Sequence, residues 1–197
     1  MDYKKKIFIF GSGGHAKSCI DVINSNPDYK IDTIIYDKIF STDKIFLNYK
    51  KSKQSMLKKS YHKFYAIIGV GQIKSNKVRK KIFKLLLRKK FNVDPVISKN
   101  SHISNFAKIG IGTVIMHYAM LGPNVIVGKN CIINTRSIVE HDVKIGDHCH
   151  ISTGCVINGG VNIGNDCFIG SGTVIKESIT IKSGSVIPMG SIITKNV

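Results

Sequence analysis

The sequence predicts two architectures in one chain: a small α/β unit over residues 1–96 and an all-β parallel β-helix over residues 97–197. Three observations carry this. From Ile97 to Ile193 every sixth residue is a branched aliphatic, through seventeen positions without an insertion. The fifth residue of each hexad is mostly small, running Ser101, Ala107, Thr113, Ala119 and onward through four cysteines. Before Ile97 this repeat is absent, and short apolar runs alternate with a glycine turn and helical periods.

In the first region, Lys6 to Phe10 reads as a strand, and Gly11, Gly13 and Ala16 follow it as G-x-G-x-x-G/A. Ala16 to Asn24 reads as a helix. A second strand, "DTIIYD", ends at Asp37, close to the spacing of a dinucleotide fingerprint. A third strand is expected over 65–71 and a second helix over about 76–90, with Pro95 leading into the repeat. Strand, glycine turn and helix make this unit Rossmann-like. The glycines let backbone approach a ligand, and the helix N-terminus offers N–H groups to an anion. The motif fits NAD, a nucleotide-sugar or a purely structural turn, and three strands are too few for a complete dinucleotide fold.

In the second region, a period of six fits neither a helix nor one alternating strand. It marks a β-helix, in which short strands form the sides of a prism and stacked coils share one core. Register then assigns the cysteines. Cys131, Cys149, Cys155 and Cys167 occupy the inward fifth position and are core fillers. Cys19 is expected in the core of the first helix. Gly110, Gly122, Gly128, Asn134, Gly146, Asn158, Gly164 and Gly170 follow the aliphatic and are read as corners that need positive φ.

The run 133–152 holds three histidines and three acids. His141 lies between inward Val139 and Val143, so it points outward. A histidine is suited to proton transfer near neutral pH, and Glu140 or Asp142 is adjacent to orient it. The "DHCH" run at 147–150 is not expected to bind metal, because Cys149 points inward while its neighbours do not. His62, His102, His117 and His148 are expected at the surface or at corners.

Composition excludes some classes. No apolar run approaches the ~20 residues of a membrane span, and Ile7 to Phe10 is too short for a signal peptide, so no membrane insertion and a cytoplasmic location are expected. Residues 1–96 carry 22 Lys+Arg against 7 Asp+Glu, so the basic excess belongs to the first region. Only three of the 30 basic residues are Arg, and no basic cluster is interleaved with stacking aromatics, which argues against nucleic acid.

"GSGGHAK" after a strand, a short α/β unit, and hexads containing "VEHD" together resemble the PglD/NeuD-like sugar acyltransferases of the hexapeptide-repeat family. The resemblance covers essentially the whole chain. It implies a left-handed parallel β-helix of five to six coils, three hexads to a coil, and a homotrimer. It implies that Gly11, Ser12, Gly13, Gly14 and His15 touch the acceptor, with Asp37 nearby. That family often has two acids at this place, whereas here Asp37 is followed by Lys38. It implies His141 as general base with Asp142 as its partner, and His150 against the acetyl donor. Gly159, in "NGGV", is favoured as an oxyanion donor, and Ser171, Gly172, Met189 and Gly190 as coenzyme A contacts. The function implied is acetyl-CoA-dependent N-acetylation of a nucleotide-linked amino sugar, for example a UDP-4-amino-sugar, in bacterial surface glycan synthesis. Sialic acid O-acetylation and a silent nucleotide-sugar-binding scaffold are the alternatives.

Overall fold

A computed structural model of the chain describes residues 4–36, 44–46, 48–57, 60–73 and 75–197. The first unit is a parallel sheet with a helix on each face. Its strands are β1 (Lys5–Phe10), β2 (Tyr29–Tyr36), β3 (Lys50–Lys53) and β4 (Tyr65–Ile68), in the order β3-β2-β1-β4. The helices are α1 (Gly14–Asn24) and α2 (Lys77–Arg88). Side chains alternate across a strand, so β1 splits its apolar run between two layers. Ile7 and Ile9 pack with Ala16, Cys19, Ile20 and Ile23 of α1. Phe8 and Phe10 pack with Ile82, Phe83 and Leu86 of α2. This burial on both faces explains the unbroken apolar stretch that the sequence carries there.

The structure corrects the expected elements in three places. Helix α1 begins at Gly14, two residues earlier than expected. The third expected strand stops at Ile68, so residues 69–71 form a loop. Strand β3, "KKSK", was not anticipated; it pairs with β2 at the sheet edge.

From β5 (Val96–Ile97) onward, seventeen two-residue strands wind through three parallel sheets, and the last is β21 (Ile192–Ile193). This is the left-handed parallel β-helix. The first face carries the strands that begin at Val96, Val114, Ile132, His150, Phe168 and Val186. The second carries those at His102, Met120, Ile138, Val156, Val174 and Ile192, and the third has five strands. Each strand pairs with the one eighteen residues on, for example Ile132 with His150.

The hexad register holds throughout the interior. Ile115, Leu121, Val139 and Ile157 are fully buried, as are Ala119, Cys131, Val143, Cys149, Cys155 and Cys167 at the fifth position. The cysteine thiols also act as donors: Cys131 Sγ lies 3.1 Å from Gly146 O and Cys149 Sγ 3.0 Å from Gly164 O. The glycines behave differently from expectation. Positive φ falls two residues later, at Asn130, Arg136, Asp142, His148 and Gly160, among others. Gly110, Gly128 and Gly146 are instead required by close approach. A Cβ on Gly110 would come 2.6 Å from the Gly128 carbonyl carbon, and one on Gly146 2.8 Å from that of Gly164. Successive coils stack backbone on backbone at this corner.

The first unit roofs part of the first face. Val96, Val114 and Ile132 are buried in the same cluster as Ile20 and Ile23 of α1. Farther along this face, His150, Phe168 and Val186 line a groove, with His150 itself buried. Among the described residues, no helix is long and apolar enough to cross a membrane.

Candidate active site

Two separate clefts share the residues picked out from the sequence. The first lies at the corner between the second and third faces. His141 sits there with Asp142, whose backbone takes φ 61° to turn the chain. His141 Nδ1 lies 2.8 Å from Asp142 Oδ2. A carboxylate only accepts, so Nδ1 carries the proton and Nε2 presents a lone pair. Asn124 Nδ2 donates to Asp142 Oδ1 at 3.1 Å. The two hydrogen bonds, chiefly that from His141, hold the Asp142 carboxyl below the usual carboxylate range. The imidazole lies over the next coil, where a Cβ on Gly159 would come 2.6 Å from Nε2. Gly159 N–H bonds to no described residue, while Gly160 N–H donates to His141 O at 3.0 Å. These residues line a cleft of about 600 Å³ together with Glu140, Asn158 and Glu177.

The second cleft is a groove of about 1280 Å³ along the corner between the first and second faces, closed on one side by the α/β unit. His15, Gln72, Asn134, His150, Ser171 and Met189 are among its lining. His150 is 6% exposed. Its Nδ1 donates to Gln72 O at 2.6 Å, and its Nε2 accepts from Asn134 Nδ2 at 3.2 Å. Asn134 Oδ1 accepts from Thr135 N–H at 2.8 Å, which fixes the amide orientation. Burial lowers the His150 pKa to about 4, against the pull of the Gln72 carbonyl. His15 is lowered to about 3, first by burial and then by the Arg79 and His150 charges. Both rings are therefore neutral at pH 7.

The expected site residues are thus divided. Gly159 accompanies His141, whereas His150, Ser171 and Met189 line the groove. Gly172 and Gly190 follow Ser171 and Met189 at left-handed corner positions, φ 69° each. Gly11 and Ser12 line a third, smaller cavity of about 210 Å³ with Tyr36, Gln54 and Lys81. Gly13 caps α1 and Gly14 opens it; both are exposed. His15 faces the groove. Asp37, with Lys38, lies outside the described residues.

Gln72 and Lys81 were not singled out in the sequence, and Asn134 was read only as a corner residue. Asn134 had a signal: it takes the corner position where several hexads carry glycine. His148, expected at the surface, and His117, expected at the surface or a corner, are both half-buried at corners. His148 Nδ1 lies 2.9 Å from Asn130 Nδ2, and its ring sits edge-on to Phe83. His117 bridges the two units, with Nδ1 2.6 Å from Ser98 Oγ and Nε2 3.0 Å from Asp21 Oδ2. That Ser–His–Asp chain is a brace: Ser98 is 2% exposed and lines none of the described cavities. Asp147, His148 and Cys149 do not converge, since Asp147 Oδ1 takes Lys129 N–H and the Cys149 thiol points into the prism.

An α/β unit set on a left-handed hexapeptide β-helix is the architecture of the hexapeptide-repeat acyltransferases, and the sequence matches their family models. Residues 6–86 match the PglD N-terminal domain. Residues 106–139 and 127–159 match the bacterial transferase hexapeptide repeats, and 160–195 the hexapeptide repeat of succinyl-transferase. The chain belongs to the hexapeptide-repeat acyltransferases that carry a PglD-type N-terminal domain.

Solved structures share the fold at low identity. The acetyltransferase domain of PglB from Neisseria gonorrhoeae FA1090 superposes with a TM-score of 0.86 at 23% identity, covering 98% of this chain and 93% of that one. It has also been solved with acetyl coenzyme A. A mutant of perosamine N-acetyltransferase from Caulobacter crescentus, in complex with CoA and GDP-perosamine, gives 0.82 at 20% identity over 98% and 90%. WeeI from Acinetobacter baumannii AYE gives 0.69 at 21% over 96% of each chain.

Proposed function

We propose that the protein is an acetyl-CoA-dependent N-acetyltransferase acting in the cytoplasm on a nucleotide-linked amino sugar for surface glycan synthesis. The observation that carries this reading is the His141–Asp142 pair, which leaves Nε2 bare in an open cleft. The acceptor nitrogen attacks the thioester carbonyl, the new N–C bond forms, and His141 Nε2 takes the proton. The C–S bond then breaks and the coenzyme A thiolate leaves. Gly159 N–H is the oxyanion donor, a contribution of about 2.7–4 kcal/mol for one such donor in acyl transfer. The cleft lining includes Glu140, Asp142 and Glu177 and no Lys or Arg, which favours an amine-bearing acceptor over an anionic sialic acid.

The active unit in this proposal is a homotrimer. Outward side chains of the second face, Met120, Ile138, Val156, Val174 and Ile192, form an apolar stripe, with Ile192 76% exposed. The groove lies at one edge of this face and the His141 cleft at the other. Copies packed through the stripe in a closed ring bring the base of one protomer beside the groove of the next. Residues 1–96 then serve acceptor binding, through Gly11, Ser12 and His15. Residues 97–197 hold acetyl-CoA along His150, Ser171, Gly172, Met189 and Gly190. One structural relative has been solved with CoA and GDP-perosamine, which supports a CoA donor and a nucleotide-sugar acceptor as the two ligands.

The test is coenzyme A release from acetyl-CoA across a panel of UDP- and GDP-linked 4-amino sugars and free sialic acids. Turnover with an amino sugar is expected. Turnover with sialic acid alone replaces the reading with O-acetylation, and tight sugar binding without turnover replaces it with a scaffold.

A further inference from the structure

Arg79, near the start of α2, is wholly buried. All five N–H donors of its guanidinium are matched by five backbone carbonyls. Nη1 takes Ile68 O at 2.8 Å and Val70 O at 3.0 Å. Nε takes Asn130 O at 3.3 Å, and Nη2 takes Gly112 O at 3.3 Å and Cys131 O at 3.4 Å. The first two carbonyls belong to the α/β unit, and the other three to two successive coils of the β-helix. No carboxylate pairs with it among the described residues. A buried cation is costly, and an apolar side chain of similar volume commonly packs as well or better. What the planar fork adds is a fixed geometry between the carbonyls it holds.

Those carbonyls stand at a junction. Ile68 and Val70 flank Gly69, whose backbone abuts the glycine turn: a Cβ on Gly11 would come 2.9 Å from Gly69 C. Next along, a Cβ on Gly71 would lie 3.6 Å from that of His15. Gln72 follows, donating to His148 O at 2.7 Å and accepting from His150. Any slip of 68–70 therefore reaches both groove histidines within four residues.

We propose that Arg79 is a positioning residue, which fixes loop 68–72 against the β-helix and so sets where His15 and His150 stand in the groove. Only its kinetic consequence rests on the acetyl-transfer reading. The test uses the full chain as Arg79→Lys and Arg79→Met, with Asp166→Ala as a comparison. Asp166 takes Lys80 at 2.8 Å and Asn76 at 2.7 Å, tying α2 to the β-helix without touching 68–72.

Two readouts are expected to move together in the Arg79 variants. Histidine-selective 15N NMR should lose the His150 Nδ1–H signature of a bond to carbonyl, in Arg79→Lys as in Arg79→Met. The kcat should fall about 100-fold, the scale of an ångström-sized misplacement, and the acetyl-CoA KM should rise with it, because His150 lines the donor groove. Asp166→Ala should melt earlier but keep kcat within about twofold. Unchanged His150 resonances in Arg79→Lys overturn the proposal, and so does an equal kcat loss in Asp166→Ala. If Arg79→Met does not fold, Arg79→Lys decides. If no acetyl acceptor is found, the NMR arm decides alone.

Discussion

His141 and His150 stand nine residues apart in the same repeat, yet they occupy opposite chemical worlds. His141 has a side chain 63% exposed, a carboxylate on Nδ1 and, among the described residues, no hydrogen bond on Nε2. His150 is buried, gives Nδ1 to a backbone carbonyl of another unit, and has Nε2 engaged by Asn134. Nine residues is one and a half hexads, so the two rings lie on different sides of the prism. The repeat fixes which way each points; on His150 the α/β unit takes the Nδ1 proton through Gln72 O, and Asn134 of the preceding coil occupies the Nε2 lone pair. An imidazole serves as a base only through a ring nitrogen whose lone pair is left free to take the proton.

Breaking the exposed member should have the largest effect. His141→Ala is expected to slow transfer about 10²- to 10⁴-fold, the usual worth of a positioned base, with the thermal melt unchanged. Steady-state rates beside a calorimetric scan check this, and a lower melting temperature would show that the ring also carries structural load.

The buried member should reveal itself through acid rather than rate. The His150 pKa is lowered to about 4 in the fold, so between its unfolded value and pH 4 the unfolded chain binds the extra proton. Stability from this site is full above pH 6.5 or so and is lost as pH falls toward 4, by about 2 kcal/mol at pH 5. Asp142 and Asp166, both lowered, lose theirs at still lower pH. Denaturant titrations of the native protein and His150→Gln at pH 5 and 7 measure this, and the variant should show the shallower slope with pH.

A third change tests the seat of the exposed ring. Gly159→Ala sets a methyl group 2.6 Å from the imidazole, which must rotate away. Transfer should fall about tenfold, about 1.4 kcal/mol of barrier, with little loss of stability. The smallest effect is expected from Asn124→Ala. It removes one of two hydrogen bonds to Asp142, so the carboxyl should titrate higher and the rate fall by only about threefold, the worth of one exposed hydrogen bond. The pH–rate profile is the measurement.

The β-helix was legible because its core enforces the register: the aliphatic ladder and the cysteine positions hold from one end to the other. Strand β3 was not, because "KKSK" has no apolar alternation. It is a lysine-rich edge strand, a composition that discourages further pairing at the sheet edge. The corner glycines were found, but for the wrong reason. Their role depends on the distance to the coil above, which no single hexad encodes. At the site, His141 and Asp142 could be paired from adjacency alone. The burial of His150 could not be foreseen, since it depends on Gln72, seventy-eight residues earlier. Arg79 was equally opaque: in the sequence it is one cation on a lysine-rich helix, and only the fold turns it inward.

The eighteen-residue pitch has a consequence for how such a chain can change length. Removing one hexad below the histidines would turn everything downstream by a third of a revolution, moving each imidazole to a different side of the prism. Removing a whole turn would shorten the column and leave every downstream side chain aimed as before. Natural variation in this tower should therefore come in whole storeys.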